Sequence, residues 1–228
     1  MPEGRIEAPR QPRAARLAGL YALTPEVSDS ATLVAKVAMA LAGGAEAIQY
    51  RNKSAPAALR RAQARLLAGL CVRCGALFIV NDDVDIAREV DADGVHIGED
   101  DGGVAQARAM LGPDRLVGVS CYDEWERARR AIDAGADYVA FGSFFASATK
   151  PDATRADPSL LARAASLRVP VVAIGGITST NAATLIDAGA TAVAVIGDVF
   201  ARDDLPAIER AAAAIAALFA KRTVSERS

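Results

Sequence analysis

Long apolar runs and an excess of charge of one sign are both missing from this sequence. No stretch of about 18 or more apolar residues occurs, so we expect no contact with a membrane. The 228 residues carry a net charge of −2. Binding a polynucleotide would require a basic face that neutralises its phosphates, and this near-neutral net charge does not favour one. We therefore predict no nucleic-acid partner.

Cysteine and histidine are also scarce, with three residues and one residue respectively. Cys71 and Cys74 form the motif CVRC, a spacing found in redox-active and zinc-binding proteins. The chain offers no second pair of ligands, and the single histidine, His96, is far away along the sequence. We therefore interpret Cys71 and Cys74 as buried thiols near the end of a helix.

The beginning of the chain, MPEGRIEAPRQPRAAR, has four arginines but lacks the apolar stretch of a secretory signal peptide. We expect a cytoplasmic protein whose residues 1–15 form an N-terminal tail without fixed structure. The remaining length, in a chain that is 52% hydrophobic, suits a single folded domain over residues 16–222.

One local pattern occurs four times along the chain. The four stretches are AGGAEAIQYR from Ala42, DADGVHIG from Asp91, DAGADYVAFG from Asp133 and DAGATAVAVIG from Asp187. Each predicts a helix that ends at Gly or another small residue, then a short turn and a strand. Gly135 and Gly189 are 54 positions apart (189 − 135), which fits two strand-helix units of about 25 to 30 residues each.

Eight apolar segments predict eight strands. They cover residues 19–24, 45–51, 76–81, 94–98, 115–121, 136–142, 169–175 and 192–197. Their nearly continuous apolar character is typical of parallel strands that are covered on both faces.

Apolar residues between these segments recur at helical spacing. Two examples are the set Leu59, Ala62, Leu66 and Leu70 and the set Trp125, Ala128 and Ile132. The second set assigns Trp125 to the core. Eight strands that alternate with helices predict an α/β fold, a single-domain (β/α)8 barrel. An open doubly wound sheet is the alternative.

In both architectures the chemistry lies at the carboxyl ends of the strands, and polar residues collect there. They are Gln49, Arg51, Asn52 and Lys53; Asn81, Asp82 and Asp83; Glu99, Asp100 and Asp101; Ser120; Ser143, Ser147, Thr149 and Lys150; Gly175, Gly176 and Thr178; and Ile196 and Gly197.

Acidic and basic side chains at this rim together favour a phosphate ligand with a metal ion. Asp82 and one acid of residues 99–101 are suitable ligands for Mg²⁺, although Asp82 or Asp83 also suits a helix N-cap. Arg51, Lys53 and Lys150 would neutralise the oxygens of a pyrophosphate bound to that ion. Mutual salt bridges between these charges are the alternative.

Two further segments are candidate anion sites. SATKP, residues 147–151, brings two hydroxyls and an ammonium group together, unless it is only a solvated turn before Pro151. AIGGITSTNAAT carries Gly175 and Gly176 just before a predicted helix start near residues 178–181. Glycines allow backbone N–H groups to approach a phosphate, or they form a tight turn.

The chain resembles the thiamine-phosphate synthase family, also called thiamine-phosphate pyrophosphorylase. The matching stretches are GLYALT, QYRNK, FIVNDDVDIA, DGVHIGEDD, GVSCY, GSFFASATKP, AIGGIT and AVAVIGDVF, in family order over about residues 18–202. The resemblance implies a (β/α)8 barrel and a Mg²⁺-dependent transferase of alkyl or aryl groups. Such an enzyme joins 4-amino-2-methyl-5-hydroxymethylpyrimidine diphosphate to 4-methyl-5-(2-phosphoethyl)thiazole, or to its carboxylated form, and releases pyrophosphate.

The resemblance also implies roles for individual residues. It implies that the pyrimidine diphosphate binds to Gln49, Arg51, Lys53, Asn81 and Ser120, and that Mg²⁺ binds to Asp82 and Asp101. The thiazole phosphate would bind to Ser147, Thr149, Gly175, Gly176, Ile196 and Gly197. Lys150 would bind the pyrophosphate. Lys150, Ser120 and Arg51 are the predicted catalytic residues. The chain departs from the family where Ala146 replaces Pro, Glu99 replaces Gln, Tyr122 replaces His and Gly197 replaces Ser.

The expected reaction needs no dedicated base. An electron-rich aminopyrimidine stabilises a benzylic-type cation, so the C–O bond ionises before the thiazole nitrogen attacks with its lone pair. We accordingly interpret His96 as an interior residue and not as a proton carrier. A class I aldolase with Lys150 as Schiff-base nucleophile, a thiazole tautomerase and a non-catalytic phosphate-binding module stay open, as does a homodimeric state.

Overall fold

Strands and helices alternate through the part of the chain that the computed structural model describes, residues 10–98, 103–146, 154–202 and 204–225. The strands are β1 (Gly19–Leu23), β2 (Ala45–Tyr50), β3 (Leu77–Asn81), β4 (Gly94–Ile97), β5 (Leu116–Tyr122), β6 (Tyr138–Phe141), β7 (Val171–Ile174) and β8 (Ala192–Val195). The helices are α1 (Arg10–Ala15), α2 (Ser30–Ala42), α3 (Ala57–Cys74), α4 (Val84–Glu89), α5 (Gly103–Leu111), α6 (Trp125–Asp133), α7 (Ser159–Ala164), α8 (Ala182–Asp187), α9 (Gly197–Phe200) and α10 (Leu205–Ser225).

The eight strands are parallel and close into a barrel in chain order, because β8 pairs with β1. In this pairing Leu20 lies opposite Val193, and Ala22 lies opposite Val195. An open sheet would leave β1 and β8 as unpaired edges. The predicted (β/α)8 barrel is therefore confirmed, and the doubly wound alternative is wrong.

Apolar side chains fill two layers, one inside the barrel and one between the strands and the helices. The inner layer contains Leu17, Tyr21, Leu23, Ala47, Leu77, Ile79, Leu116, Tyr138, Ala140, Val172, Ala192 and Ala194. In β1, Tyr21 belongs to the inner layer while its neighbours Leu20 and Ala22 belong to the outer one. Because both faces of the strands are buried, the strand sequences show no alternation of polar and apolar residues.

The repeated sequence pattern has a structural cause at the amino end of the barrel. Asp93, Asp137 and Thr191 occupy the same position in three of its copies, just before β4, β6 and β8. Asp93 Oδ2 accepts from Phe78 N at 2.9 Å, Asp137 Oδ2 from Val117 N at 2.8 Å and Thr191 Oγ1 from Val171 N at 2.8 Å. Each side chain thus ties its own strand to the strand before it.

Helix α1 covers the amino end of the barrel, where Arg13 is buried. Its Nη1 donates to Asp114 O at 2.7 Å, and its Nε lies 3.7 Å from Asp93 Oδ1. Ala14 and Leu17 pack against the inner layer. The prediction of an unstructured tail through residue 15 is therefore wrong for residues 10–15, whereas residues 1–9 lie outside the described residues.

The buried face of α3 differs from the prediction. Ala62 is exposed and Leu66 is 50% exposed, whereas Gln63 and Leu67 are buried. Gln63 Oε1 accepts from Tyr50 Oη at 2.8 Å, and its Nε2 donates to Val27 O at 2.8 Å. Because the buried face of α3 includes the polar residue Gln63, the spacing of apolar residues alone does not predict that face.

The two cysteines of the CVRC motif lie in different surroundings. Cys71 is buried as predicted, and burial raises the pKa of its thiol to about 12. Cys74 is exposed at the last position of α3, so its predicted burial is wrong.

Trp125 is half-buried against the outer layer, with the Arg163 guanidinium 4.0 Å from its ring centroid. Among the described residues, no helix has both the length and the apolarity to cross a membrane.

Candidate active site

The carboxyl end of β3 brings an acidic and a basic residue together. Lys53 Nζ lies 2.9 Å from Asp82 Oδ2, and both line one cleft with Asn81, the last residue of β3. Asp82 has a φ of 61°, and its N–H donates to His96 O at 2.8 Å. This left-handed conformation is uncommon for a residue other than glycine. The turn therefore places the Asp82 carboxylate at the rim.

Asp83 and not Asp82 caps the helix that follows. Asp83 Oδ1 accepts from Ile86 N at 2.9 Å, and Asp83 Oδ2 lies 3.5 Å from Arg60 Nη1. The sequence left either aspartate as the N-cap of α4. Because Asp83 has this role, the carboxylate of Asp82 is available to a ligand that displaces Lys53.

Arg51 is held by a residue that the sequence analysis missed. Its Nη1 donates to Glu26 Oε1 at 2.8 Å, and Ser54 Oγ donates to Glu26 Oε2 at 2.7 Å. The hydrogen bond from Ser54 is the main cause that lowers the pKa of Glu26, with a smaller contribution from the charge of Arg51. Glu26 follows β1, so the rule that polar residues at strand ends form the site would have found it there.

Five buried or half-buried side chains form a continuous hydrogen-bonded chain through the barrel interior. Gln49 Nε2 donates to Tyr21 Oη at 2.8 Å, and Tyr21 Oη lies 3.0 Å from Tyr138 Oη. His96 Nδ1 lies 3.1 Å from Tyr138 Oη, and His96 Nε2 lies 2.9 Å from Ser120 Oγ. Burial raises the pKa of both tyrosines well above the usual value of 10. His96 is thus an interior residue, as predicted, and it connects to Ser120.

The space for Tyr138 depends on Gly118 in the neighbouring strand. A Cβ atom at Gly118 would lie 1.9 Å from Tyr138 Cζ. At the carboxyl end of the same strand, β5, the pairing register with β6 shifts between Ser120 and Tyr122, and Tyr122 has a φ of 53°. The Arg127 guanidinium lies 5.2 Å from the centroid of the Tyr122 ring, and Arg127 Nε donates to Ser120 O at 2.8 Å.

The two glycines after β7 pack against the loop after β6. A Cβ atom at Gly175 would lie 2.1 Å from Ser143 Oγ, and one at Gly176 would lie 2.2 Å from Ala146 O. Phe145 N also donates to Gly175 O at 3.0 Å. The glycines are therefore needed for the contact between two loops, whatever they bind.

The end of β8 continues into the short helix α9, with Ile196 as its N-cap and Gly197 as its first residue. Asp198 Oδ2 accepts from Ser179 N at 2.8 Å, which joins this helix to the loop after β7. Asn181 is the N-cap of α8, which agrees with the helix start predicted near residues 178–181.

The remaining predicted site residues lie outside the described residues. They are Asp101, Ser147, Thr149 and Lys150, together with Glu99. In the described ranges, no group of three or more His, Cys, Asp or Glu side chains is arranged to hold a metal ion. Asp82 does offer a rim carboxylate, which is the hard oxygen ligand that Mg²⁺ prefers.

Comparison with known proteins gives consistent results. Residues 20–199 match the family described as "Thiamine monophosphate synthase". A thiamine-phosphate synthase of Thiobacillus denitrificans is 56% identical to this chain, over 89% of this chain and 95% of that protein. One of Chromobacterium violaceum is also 56% identical, over 87% of this chain and 96% of that protein. A solved thiamine phosphate pyrophosphorylase from Pyrococcus furiosus has a TM-score of 0.80 at 34% identity, covering 92% of this chain and 98% of that one. A solved 3-hexulose-6-phosphate synthase, at 20% identity and a TM-score of 0.63, covers 87% of this chain and 99% of its own and shares the fold alone.

Proposed function

Because the chain belongs to the thiamine monophosphate synthase family, we propose that it joins the aminopyrimidine diphosphate to the thiazole phosphate and releases pyrophosphate. The observation that carries this proposal is the pairing of Lys53 with Asp82 at the rim, with Arg51 in the same loop as Lys53, directly after β2. A diphosphate with a divalent cation requires both charges in one place, and each partner can exchange its present contact for a ligand.

The pyrimidine end of the substrate occupies the mouth of the barrel between β2 and β5 in this proposal. Gln49 and Ser120 bind the pyrimidine ring, while Arg51, Lys53 and Asn81 bind the diphosphate oxygens. Asp82 and Asp101 would hold Mg²⁺, which supplies positive charge to the leaving group. Lys150 adds a further cation from the loop after β6.

The reaction proceeds by loss of pyrophosphate. The C–O bond to the diphosphate breaks, and its electron pair leaves with the pyrophosphate. The thiazole nitrogen then forms the new C–N bond with its own lone pair, so no proton has to be removed. Arg51, Lys53 and Lys150 stabilise the charge that grows on the departing oxygens, which is the step where fixed cations have the largest effect on rate.

The thiazole phosphate binds on the opposite side of the mouth in this proposal. Ser147 and Thr149 provide hydroxyl groups, and Gly176, Ile196 and Gly197 provide backbone N–H groups near the start of α9. The loops after β7 and β8 with a short additional helix are a recurrent phosphate site in this fold. The contact of Gly175 and Gly176 with residues 143–146 supports this arrangement, because it joins that site to the stem of the loop that carries Ser147 and Thr149.

Pyrophosphate release tests the proposal. We expect release when the chain is mixed with the pyrimidine diphosphate, the thiazole phosphate and Mg²⁺, and background release when the thiazole phosphate is omitted. Lys150→Ala should lower kcat about 10²- to 10³-fold. Release no faster than background with both substrates present would overturn the proposal, and a loss below about threefold in the variant would remove Lys150 from the mechanism.

Two further measurements separate the alternatives. Covalent trapping of Lys150 by borohydride in the presence of a carbonyl substrate would favour an aldolase. Isomerisation of a thiazole without pyrophosphate release, unaffected by a metal chelator, would favour a tautomerase.

A further inference from the structure

The chain of hydrogen bonds inside the barrel connects two residues that face the proposed pyrimidine. Gln49 is at one end and Ser120 at the other, and Tyr21, Tyr138 and His96 lie between them. The three middle residues are buried within the strands, below the rim. A core needs no polar chain of this length, since apolar residues of the same size fill such a space without it.

Every proton in this chain has an acceptor only if the hydrogen bonds all run in one direction. A tyrosine hydroxyl has one proton to donate, and a neutral imidazole has one N–H and one acceptor nitrogen. Both tyrosines keep their protons because burial raises their pKa values. Each link therefore fixes the direction of the next.

The orientation of Gln49 sets that direction. Its Nε2 donates to Tyr21 Oη. The arrangement that then gives every proton an acceptor has the Tyr21 hydroxyl donating to Tyr138 Oη and the Tyr138 hydroxyl donating to His96 Nδ1. His96 then carries its proton on Nε2 and donates it to Ser120 Oγ. As a result Gln49 keeps its carbonyl oxygen as an acceptor, and Ser120 keeps its hydroxyl proton as a donor for the ligand.

We infer that Tyr21, Tyr138 and His96 are positioning residues that fix Gln49 as an acceptor and Ser120 as a donor, and so select an aminopyrimidine against an oxopyrimidine. An aminopyrimidine offers an amino N–H and a ring nitrogen lone pair, which match this acceptor and this donor. The 4-oxo analogue has a carbonyl oxygen and a ring N–H at the same places. With the chain in this direction, its carbonyl oxygen would face the carbonyl oxygen of Gln49, and its ring N–H would face the hydroxyl proton of Ser120. The inference rests on the proposed function, which assigns the pyrimidine to this site.

The single histidine of the chain makes the direction measurable. In the untagged protein, the ¹⁵N shifts of the one imidazole ring report whether the proton is on Nε2 or on Nδ1. We expect the Nε2–H form in the wild type and a mixture of the two forms in Tyr138→Phe. A wild-type Nδ1–H form, or an imidazolium, would overturn the inference, because either would reverse or break the chain.

Substrate discrimination gives a second test. The test would measure the binding of the 4-amino and 4-oxo pyrimidine diphosphates without the thiazole phosphate, so that no turnover occurs. The ratio of the two Kd values should fall at least about tenfold in Tyr138→Phe and in Tyr21→Phe, since a site built to bond polar groups rejects mismatched analogues through those bonds. Both variants remove only a hydroxyl group, and thermal unfolding shows whether each is folded.

Tyr50→Phe is the matched control. Tyr50 is also buried in a strand, but its hydroxyl donates to Gln63 Oε1 at 2.8 Å, outside the chain. The Tyr50→Phe variant should have a Kd ratio within about twofold of the wild-type ratio, and its His96 should keep the Nε2–H form. An unchanged ratio in both Tyr138→Phe and Tyr21→Phe would overturn the inference while leaving the proposed function intact. Failure of the proposed function is separate, since the wild type would then not release pyrophosphate.

Discussion

The two ends of the barrel both carry acidic and basic side chains, but they hold them differently. At the amino end, the Asp93 and Asp137 side chains are only 6% and 4% exposed, and each accepts a hydrogen bond from a backbone N–H of the preceding strand. At the carboxyl end, Lys53 is 59% exposed and Asp82 25%, and they meet in one ion pair. Buried, multiply bonded charges fix the strands, whereas half-exposed single pairs can exchange partners for a ligand.

Asp137→Ala should break the amino end without touching the chemistry. Asp137 accepts from Val117 N at 2.8 Å and pairs with Arg108, so its loss leaves a partly buried arginine without this partner. We expect the free energy of unfolding to fall by about 3 to 5 kcal/mol, measured by urea denaturation. Activity per folded molecule should stay near the wild-type value. Exposed Asp133→Ala is the control, with a change within about 0.5 kcal/mol.

Lys53→Ala, at the carboxyl end, should impair catalysis and leave stability nearly unchanged. We expect kcat/KM for the pyrimidine diphosphate to fall about 10²-fold, because a cation that stabilises the leaving group is lost. The free energy of unfolding should change little, since exposed ion pairs contribute about 0 to 1 kcal/mol. Lys36→Ala, which removes a lysine bonded to Arg202 O at 3.1 Å, is the control. A large loss of stability with unchanged catalysis would contradict the contrast between the ends.

Glu26→Ala should have an intermediate effect. The variant removes the acceptor that orients Arg51, so KM for the pyrimidine diphosphate should rise about fivefold. Glu26→Gln retains an acceptor and should stay within about twofold of the wild type. Steady-state kinetics at fixed ionic strength makes the comparison, and equal effects in the two variants would argue against a positioning role.

The pH range of this pair follows from the lowered pKa of Glu26. A carboxylate with a lowered pKa in the folded state contributes stabilisation that is present above its unfolded pKa and is lost as pH falls through the lowered value. Between pH 5 and 8 the Glu26–Arg51 pair should therefore cause no change in KM with pH.

Gly197→Ser should have the smallest effect. A Cβ atom at Gly197 meets nothing within 4 Å, so the residue that the resemblance implies at this position, serine, begins in open space. We expect KM for the thiazole phosphate to fall about two- to threefold, as one added hydrogen bond allows, with unfolding unchanged. A rise in KM would mean that the phosphate does not approach α9.

The sequence predicts the strands and the rim well because both depend on local patterns. Apolar runs set the strands, and the segment predicted over 169–175, for example, contains β7 (Val171–Ile174). The family resemblance is confirmed by the match over residues 20–199. The roles of Asp101, Ser147, Thr149 and Lys150 stay predictions.

What the sequence does not predict depends on contacts between distant residues. Tyr21 and Tyr138 occur in apolar strands and look like ordinary core aromatics, yet their hydroxyls meet across the barrel. Gln63 is buried with its amide bonded to Tyr50, Val27 and Asn52, which are 13, 36 and 11 positions away along the chain. Neither arrangement leaves a pattern within one segment of the sequence.

The close contact between Gly175, Gly176 and residues 143–146 has a consequence for how this enzyme can change. A side chain at either glycine would push the loop after β6, which leads to Ser147, Thr149 and Lys150. The two loops are therefore coupled, and a substitution at either glycine would require a compensating substitution in the loop after β6.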